Sequence, residues 1–207
     1  WLPQVAAFVY LLMAVGVFLL ALVQGIPLAG SIIPLLVGLV FLACASWVFL
    51  VRRSQHSALV FILFSTSFSF SICYPLILPG WAALDGLWML SLGLLGASLF
   101  DLTFSFPSTD PLALRFPFLR LLVYLLGATL ALFAFAQRFS SGRSAAVEGG
   151  VQVLAGFACL AFLFCAARMG FRRMRLVLVV ERLQTALVLL ALCLAFVPLT
   201  IWFMGSI

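Results

Sequence analysis

The sequence AALDGLWMLSLGLLGASLFDLTFSFP, residues 82–107, is a long apolar run that ends at a proline. The 25 residues before the proline exceed the roughly 20 that a helix needs to cross the hydrocarbon core of a bilayer. Two acidic residues interrupt the run, Asp85 near its start and Asp101 near its end. The run therefore predicts a transmembrane helix, and it raises the question of what a carboxylate does close to the helix end.

The whole chain has the composition of a membrane protein. Of its 207 residues, 67% are hydrophobic and 8% are charged, whereas a soluble domain carries about 25% charged residues. The formal charge of +6 comes from eleven arginines, because the chain contains no lysine. We expect a protein of the bacterial inner membrane that is surrounded by lipid and does not bind nucleic acid.

Seven apolar runs are long enough to span a bilayer as helices. They cover approximately residues 4–23, 32–51, 57–78, 82–106, 117–137, 149–168 and 180–204. The connections between them are short, so no soluble domain fits between any two runs. The sequence therefore predicts an all-α fold, a single domain that is a bundle of seven transmembrane helices.

Residues 64–71, FSTSFSFS, alternate between phenylalanine and polar residues as a membrane strand would. The surrounding apolar run is about twice the length of a membrane strand, which favours a helix. On a helix, Ser65 and Ser69 share one face and Ser67 and Ser71 share another. These hydroxyls suit hydrogen bonding between packed helices, and a polar stripe that faces a ligand is the alternative.

The distribution of arginine predicts the orientation. Nine of the eleven arginines follow the second, fourth and sixth runs, and the opposite side has only Arg138 and Arg143. Basic loops remain in the cytoplasm. The amino terminus is therefore expected in the cytoplasm and residue 207 outside it, with Arg172, Arg173 and Arg175 as candidate contacts of lipid headgroups.

The chain offers little for catalysis. His56 is its only histidine and is expected in a solvated loop, so neither a two-histidine metal site nor a Ser/His/Asp triad is supported. There is no phosphate-binding glycine motif. We expect a protein that is not an enzyme and that holds neither a cofactor nor a metal.

Asp101 is the acidic residue that lies deepest in an apolar run. It is expected either to reach the cytoplasmic interface as an anchor or to form an ion pair with an arginine such as Arg115, Arg120 or Arg182, and a signalling or proton-linked role is the alternative. Two pairs of small residues, Gly93 with Ala97 and Gly127 with Ala131, are spaced for close helix packing.

Part of the chain resembles the multi-helix sensory region of bacterial histidine kinases related to the competence quorum-sensing kinase. The segment D-L-T-F-S-F-P at 101–107 is similar to a family pattern that precedes a short basic loop, and E-R-L-Q at 181–184 is similar to a second pattern. The resemblance implies a sensory region and makes Asp101, Glu181, Arg182 and Gln184 candidate signalling residues. It also implies an output domain that these 207 residues do not include.

Two functions are therefore expected as alternatives. The first is a sensory region that transmits a signal by shifting its helix packing, with a homodimer or partner proteins as neighbours. The second is a structural accessory subunit of a larger membrane complex, such as an energy-transducing one. A transporter is less favoured because no acidic residue falls at the centre of a run.

Overall fold

The computed structural model describes residues 2–23, 28–52, 55–74, 82–105, 118–140 and 145–175, together with seven single residues between 183 and 196. Six helices lie within these ranges. They are α1 (Leu2–Val23), α2 (Leu28–Arg52), α3 (His56–Cys73), α4 (Ala82–Ser105), α5 (Phe118–Ser140) and α6 (Ala145–Arg175).

The predicted all-α class is confirmed. Helices α2 to α6 each contain a segment that is long and apolar enough to cross a membrane, and α1 contains a shorter apolar segment, Gln4–Leu20. Most of the seventh predicted span, residues 180–204, lies outside the described residues, and the seven positions described there are helical. The seventh span therefore stays a prediction.

Several helix boundaries differ from those predicted: α2 begins at Leu28 rather than about residue 32, and α6 begins at Ala145 rather than about residue 149. Helix α3 begins at His56, a residue expected in a loop, and it ends at Cys73. Helix α6 continues to Arg175 through residues 169–175, which were expected to form a loop, so that expectation is wrong. The segment contains no proline, arginine and methionine are good helix formers, and an arginine side chain is long enough to reach water from a helix end.

Helices α3 and α4 form the centre of the bundle. Helix α4 packs against α3, α5 and α6, and α3 packs against α1, α2 and α4. In the apolar segments of α3 and α4, 67% and 72% of the residues are buried, compared with 17% in those of α2 and α5. The other helices therefore surround a central pair.

Successive helices bring the arginine-bearing termini to one end of the bundle. His56 at the start of α3 contacts Asp101 near the end of α4, which contacts Arg120 near the start of α5. Arg168, near the end of α6, lies over the ring of Phe104 on α4, 5.1 Å from its centroid. We call this end the basic end.

The distribution of polar residues is reversed relative to that of a soluble protein. Among the described residues, every buried polar or charged side chain belongs to α3 or α4. The exposed large apolar side chains all lie on other segments, for example Leu50 on α2 and Leu132 on α5. An apolar exterior around a polar interior is typical of a bundle that lies in lipid.

Two glycines allow α4 and α5 to touch backbone to backbone. An added Cβ at Gly127 would lie 2.5 Å from the carbonyl oxygen of Gly93, and one at Gly93 would overlap the carbonyl group of Gly127. The Cβ atom of Ala131 lies 3.4 Å from the added Cβ at Gly93, and the Cβ atom of Ala97 lies 3.5 Å from the one at Gly127. The close packing predicted from the four small residues is confirmed.

The end of α3 has a hydrogen bond that compensates for a proline. In a regular helix, the N–H of residue 75 would donate to the carbonyl oxygen of Ser71, but residue 75 is proline and has no N–H. The indole Nε1 of Trp88 on α4 donates to this oxygen instead, at 3.3 Å. The Trp88 ring also stacks on Tyr74, with 5.3 Å between centroids.

The glycine contact gives a test of the packing. We expect Gly93→Ala to destabilise the protein by about 1–3 kcal/mol, because the backbones of α4 and α5 must separate to admit the methyl group. Gly156→Ala is the matched control, since no atom lies within 4 Å of its Cβ position. The control should be neutral or stabilising by up to about 1 kcal/mol. Equal losses in thermal unfolding of the two variants would contradict the packing.

Candidate functional site

Asp101 is a buried carboxylate in an unfavourable position. Its side chain is 2% exposed and lies four residues before the last described residue of α4, Ser105. The carbonyl end of a helix carries partial negative charge, and burial removes the water that would solvate a carboxylate. Asp101 therefore requires partners from other parts of the structure.

Four side chains supply these partners, two at each carboxylate oxygen. Ser105 donates a hydrogen bond from Oγ to Oδ1 at 3.2 Å, and Arg120 Nε lies 3.3 Å from Oδ1. Tyr124 donates from its hydroxyl to Oδ2 at 3.3 Å, and His56 Nε2 lies 3.3 Å from Oδ2. We call these five residues the Asp101 clasp.

The helices place each partner by simple spacing. Arg120 and Tyr124 are four residues apart on α5 and so share one face, and Ser105 lies one turn beyond Asp101 on α4. His56 is the first residue of α3. The amino ends of α3 and α5, which carry partial positive charge, thus lie beside the carboxylate. The clasp joins three helices through one side chain.

Arg120 provides the permanent countercharge. Its side chain is 21% exposed, and its Nε contact with Oδ1 is an ion pair without an aligned N–H···O hydrogen bond. It is one of the three arginines predicted to pair with Asp101. Arg115 and Arg182, the other two, lie outside the described residues.

His56 is the clasp residue that reaches water. Its side chain is 53% exposed, in agreement with the expected solvation, but its imidazole contacts a buried carboxylate on another helix. The sequence did not predict this contact, nor did it predict Tyr124 and Ser105 as partners of Asp101. The one sequence signal for Tyr124 and Ser105 is their spacing, because they lie four residues after Arg120 and Asp101 respectively.

The clasp differs from a nucleophilic site although it contains serine, histidine and aspartate. In a triad the serine hydroxyl is hydrogen-bonded to the histidine that removes its proton. Here Ser105 donates to Asp101. Within the described helices, no three histidine, cysteine or acidic side chains come together in the way a metal ion requires. The geometry suits holding helices together by charge and hydrogen bonds.

The other predicted site residues are described only in part. Glu181, Arg182 and Gln184 lie outside the described residues. The backbone of residues 172–175, which include three arginines, forms the last turn of α6 at the basic end, and their side chains are not described. Their roles therefore stay predictions.

A second set of polar contacts lies deeper in the bundle. The hydroxyls of Tyr10 on α1 and Ser67 on α3 are 3.1 Å apart, and those of Ser71 on α3 and Ser91 on α4 are 3.0 Å apart. These bonds join neighbouring helices, as predicted for the serine-rich segment. Ser65 Oγ is buried without a hydrogen-bond partner in the described part of the chain, and the alternative of a ligand-facing stripe stays a prediction.

Comparison of the chain with protein-family models, curated proteins and solved structures finds no match. The resemblance to histidine-kinase sensory regions accordingly depends on the short motifs alone. The clasp and the polar interior are the features from which a function can be inferred.

Two tyrosines allow the clasp to be tested with one kind of substitution. We expect Tyr124→Phe to destabilise the protein by about 1.5–3 kcal/mol, because a charged acceptor loses its donor in a buried site. Tyr10→Phe removes a bond to the neutral hydroxyl of Ser67 and should cost about 0.5–1.5 kcal/mol. Thermal unfolding in lipid nanodiscs measures both. A smaller loss for Tyr124→Phe than for Tyr10→Phe would contradict the assignment.

Proposed function

We propose that this chain is a sensory, signal-transmitting region of the bacterial inner membrane that is not itself an enzyme. In this proposal, a signal shifts the packing of the helices around Asp101, and the cytoplasmic side of the bundle passes the change to an output domain or a partner protein. The proposal is based on the Asp101 clasp, in which one buried carboxylate connects three helices and contacts a water-accessible histidine on one of them.

The membrane location is supported by the reversed distribution of polar residues. The exposed surfaces of α1, α2, α5 and α6 carry leucine, valine and phenylalanine, and the buried hydroxyls and carboxylates lie on α3 and α4. Such an exterior would be poorly solvated by water but suits lipid. We propose that the basic end faces the cytoplasm, because basic residues are retained on that side.

The signalling role is supported by the chemistry of the clasp. Ionisable residues inside a membrane are unfavourable, and where they occur they commonly mark functional sites. A single carboxylate with four partners on three helices also has two plausible arrangements, closed with all partners bound and open with some released. A ligand or protein that binds the two arrangements unequally would shift their populations.

An accessory subunit of a larger membrane complex is the competing proposal. It is supported by the extensive exposed apolar surface, part of which could contact other subunits. The two proposals differ in what a change at Asp101 should do. A sensor should change its output at constant protein level, whereas a subunit should lose its partners.

We therefore expect Asp101→Asn to change the transcript profile of the bacterium that encodes the chain, because it leaves Arg120 without its countercharge and releases the clasp. Asp85→Asn is the matched control. Asp85 is also a buried carboxylate on α4, but it lies sixteen residues earlier, about 24 Å away along the helix. Transcript profiling, immunoblotting of the chain and mass spectrometry of copurified proteins give the comparison.

The proposal predicts a set of transcripts altered by Asp101→Asn and much less altered by Asp85→Asn, with equal amounts of each variant in the membrane. Two outcomes would contradict it. One is equal effects of the two variants. The other combines two results: the transcript profile is unchanged in Asp101→Asn, and a protein that copurifies in fixed ratio with the wild type no longer copurifies with this variant. That combination would indicate an accessory subunit.

A further inference from the structure

His56 differs from every other ionisable residue of the chain. The chain has eleven arginines, five acidic residues and one histidine. An imidazole is the side chain whose charge ordinarily changes between about pH 5 and 8, whereas arginine stays charged throughout that range. As the only imidazole of the chain, His56 is the candidate for a response to pH near neutrality.

The geometry connects that charge to the interior of the bundle. His56 is 53% exposed, so its imidazole can exchange protons with water at the basic end. Its Nε2 atom lies 3.3 Å from Oδ2 of Asp101, a side chain that is 2% exposed. A proton from water can therefore alter an interaction of a buried group without crossing the packed interior.

Other charged and polar groups surround this contact. From α5, Arg120 supplies a fixed positive charge at Oδ1 and Tyr124 donates to Oδ2. From α4 itself, Ser105 donates to Oδ1. Helix α1 has no charged residue, and from α6 Arg168 lies over the ring of Phe104. The side chains of Arg52 and Arg53, which precede α3, are outside the described part.

We propose that His56 makes the Asp101 clasp responsive to protons on the basic side, so that protonation of the imidazole tightens the connection between α3 and α4. This inference rests on the proposed function and names the signal at the same site. A neutral imidazole can donate to the carboxylate of Asp101 only when Nε2 carries its one ring proton. An imidazolium carries a proton on both ring nitrogens and adds a positive charge beside the carboxylate, so the contact becomes an ion pair.

The direction of the effect follows from linkage. The protonated form of His56 interacts with Asp101 only when the clasp is closed, so the closed state is favoured wherever the imidazole is charged. Acidic solution, in which imidazoles are ordinarily charged, therefore favours the closed state, and alkaline solution, in which they are ordinarily neutral, removes this contribution. Acidification therefore strengthens the contact between the start of α3 and the end of α4, and alkalinisation weakens it.

The test uses the full chain in nanodiscs of neutral lipid, with thermal unfolding measured at about pH 5.5 and pH 8. We expect the wild type to unfold about 3 °C higher at the acidic pH than at the alkaline pH. His56→Gln keeps a neutral donor and should show little of this shift, with an unfolding temperature near that of the wild type at pH 8. His56→Arg keeps a permanent charge and should remain near the acidic value at both pH values.

Hydrogen exchange at the start of α3 tests the proposal independently of the stability of the whole protein. Deuterium exchange of the amides in the first turns of α3, corrected for the intrinsic effect of pH, should slow at least about 3-fold on acidification in the wild type and not in His56→Gln. An equal response to pH in the wild type and both variants, by either method, would overturn the proposal.

These measurements separate the two proposals. A pH response that depends on His56, combined with transcripts that are indifferent to Asp101→Asn, would preserve the proton-responsive clasp and remove the signalling role. The absence of the pH response, combined with transcripts altered by Asp101→Asn, would overturn only the inference about protons.

Discussion

The burial of one negative charge at the carbonyl end of α4 is the constraint on which the basic end of the bundle depends. Asp101 is removed from water and faces the unfavourable end of its own helix dipole. The chain compensates with an arginine, a tyrosine, a serine and a histidine. Because these partners come from α3, α4 and α5, satisfying the carboxylate also fixes how the three helices meet.

The rest of the interior follows the same principle of satisfying polar groups between central helices. Ser71 bonds to Ser91 across α3 and α4, and Trp88 replaces the donor that a proline cannot provide. The glycine contact brings α5 close to α4 away from the clasp. Outside this polar centre, the apolar faces of the surrounding helices suit lipid, where hydrogen bonds inside the bundle have little competition from water.

The sequence predicted the features that depend on local pattern. Long apolar runs predicted the helices, the four-residue spacing of small residues predicted close helix packing at Gly93 and Gly127, and the depth of Asp101 indicated either an ion pair with an arginine or an anchor at the interface. It did not predict His56 or Tyr124 as partners of Asp101, because that contact depends on which helices are neighbours in space. The helical backbone of residues 169–175 was not predicted, because a cluster of arginines after an apolar run was interpreted as a loop. Arginine is nevertheless a good helix former.

The interaction between Asp101 and Arg120 should contribute to the free energy of unfolding, and a double-mutant cycle measures this contribution directly. The free energy of unfolding would be compared for the wild type, Asp101→Asn, Arg120→Gln and the double variant in one lipid environment. We expect the double variant to be more stable than the sum of the two single losses implies, with a coupling energy of about 1–3 kcal/mol. Losses that add to within about 0.5 kcal/mol would contradict it.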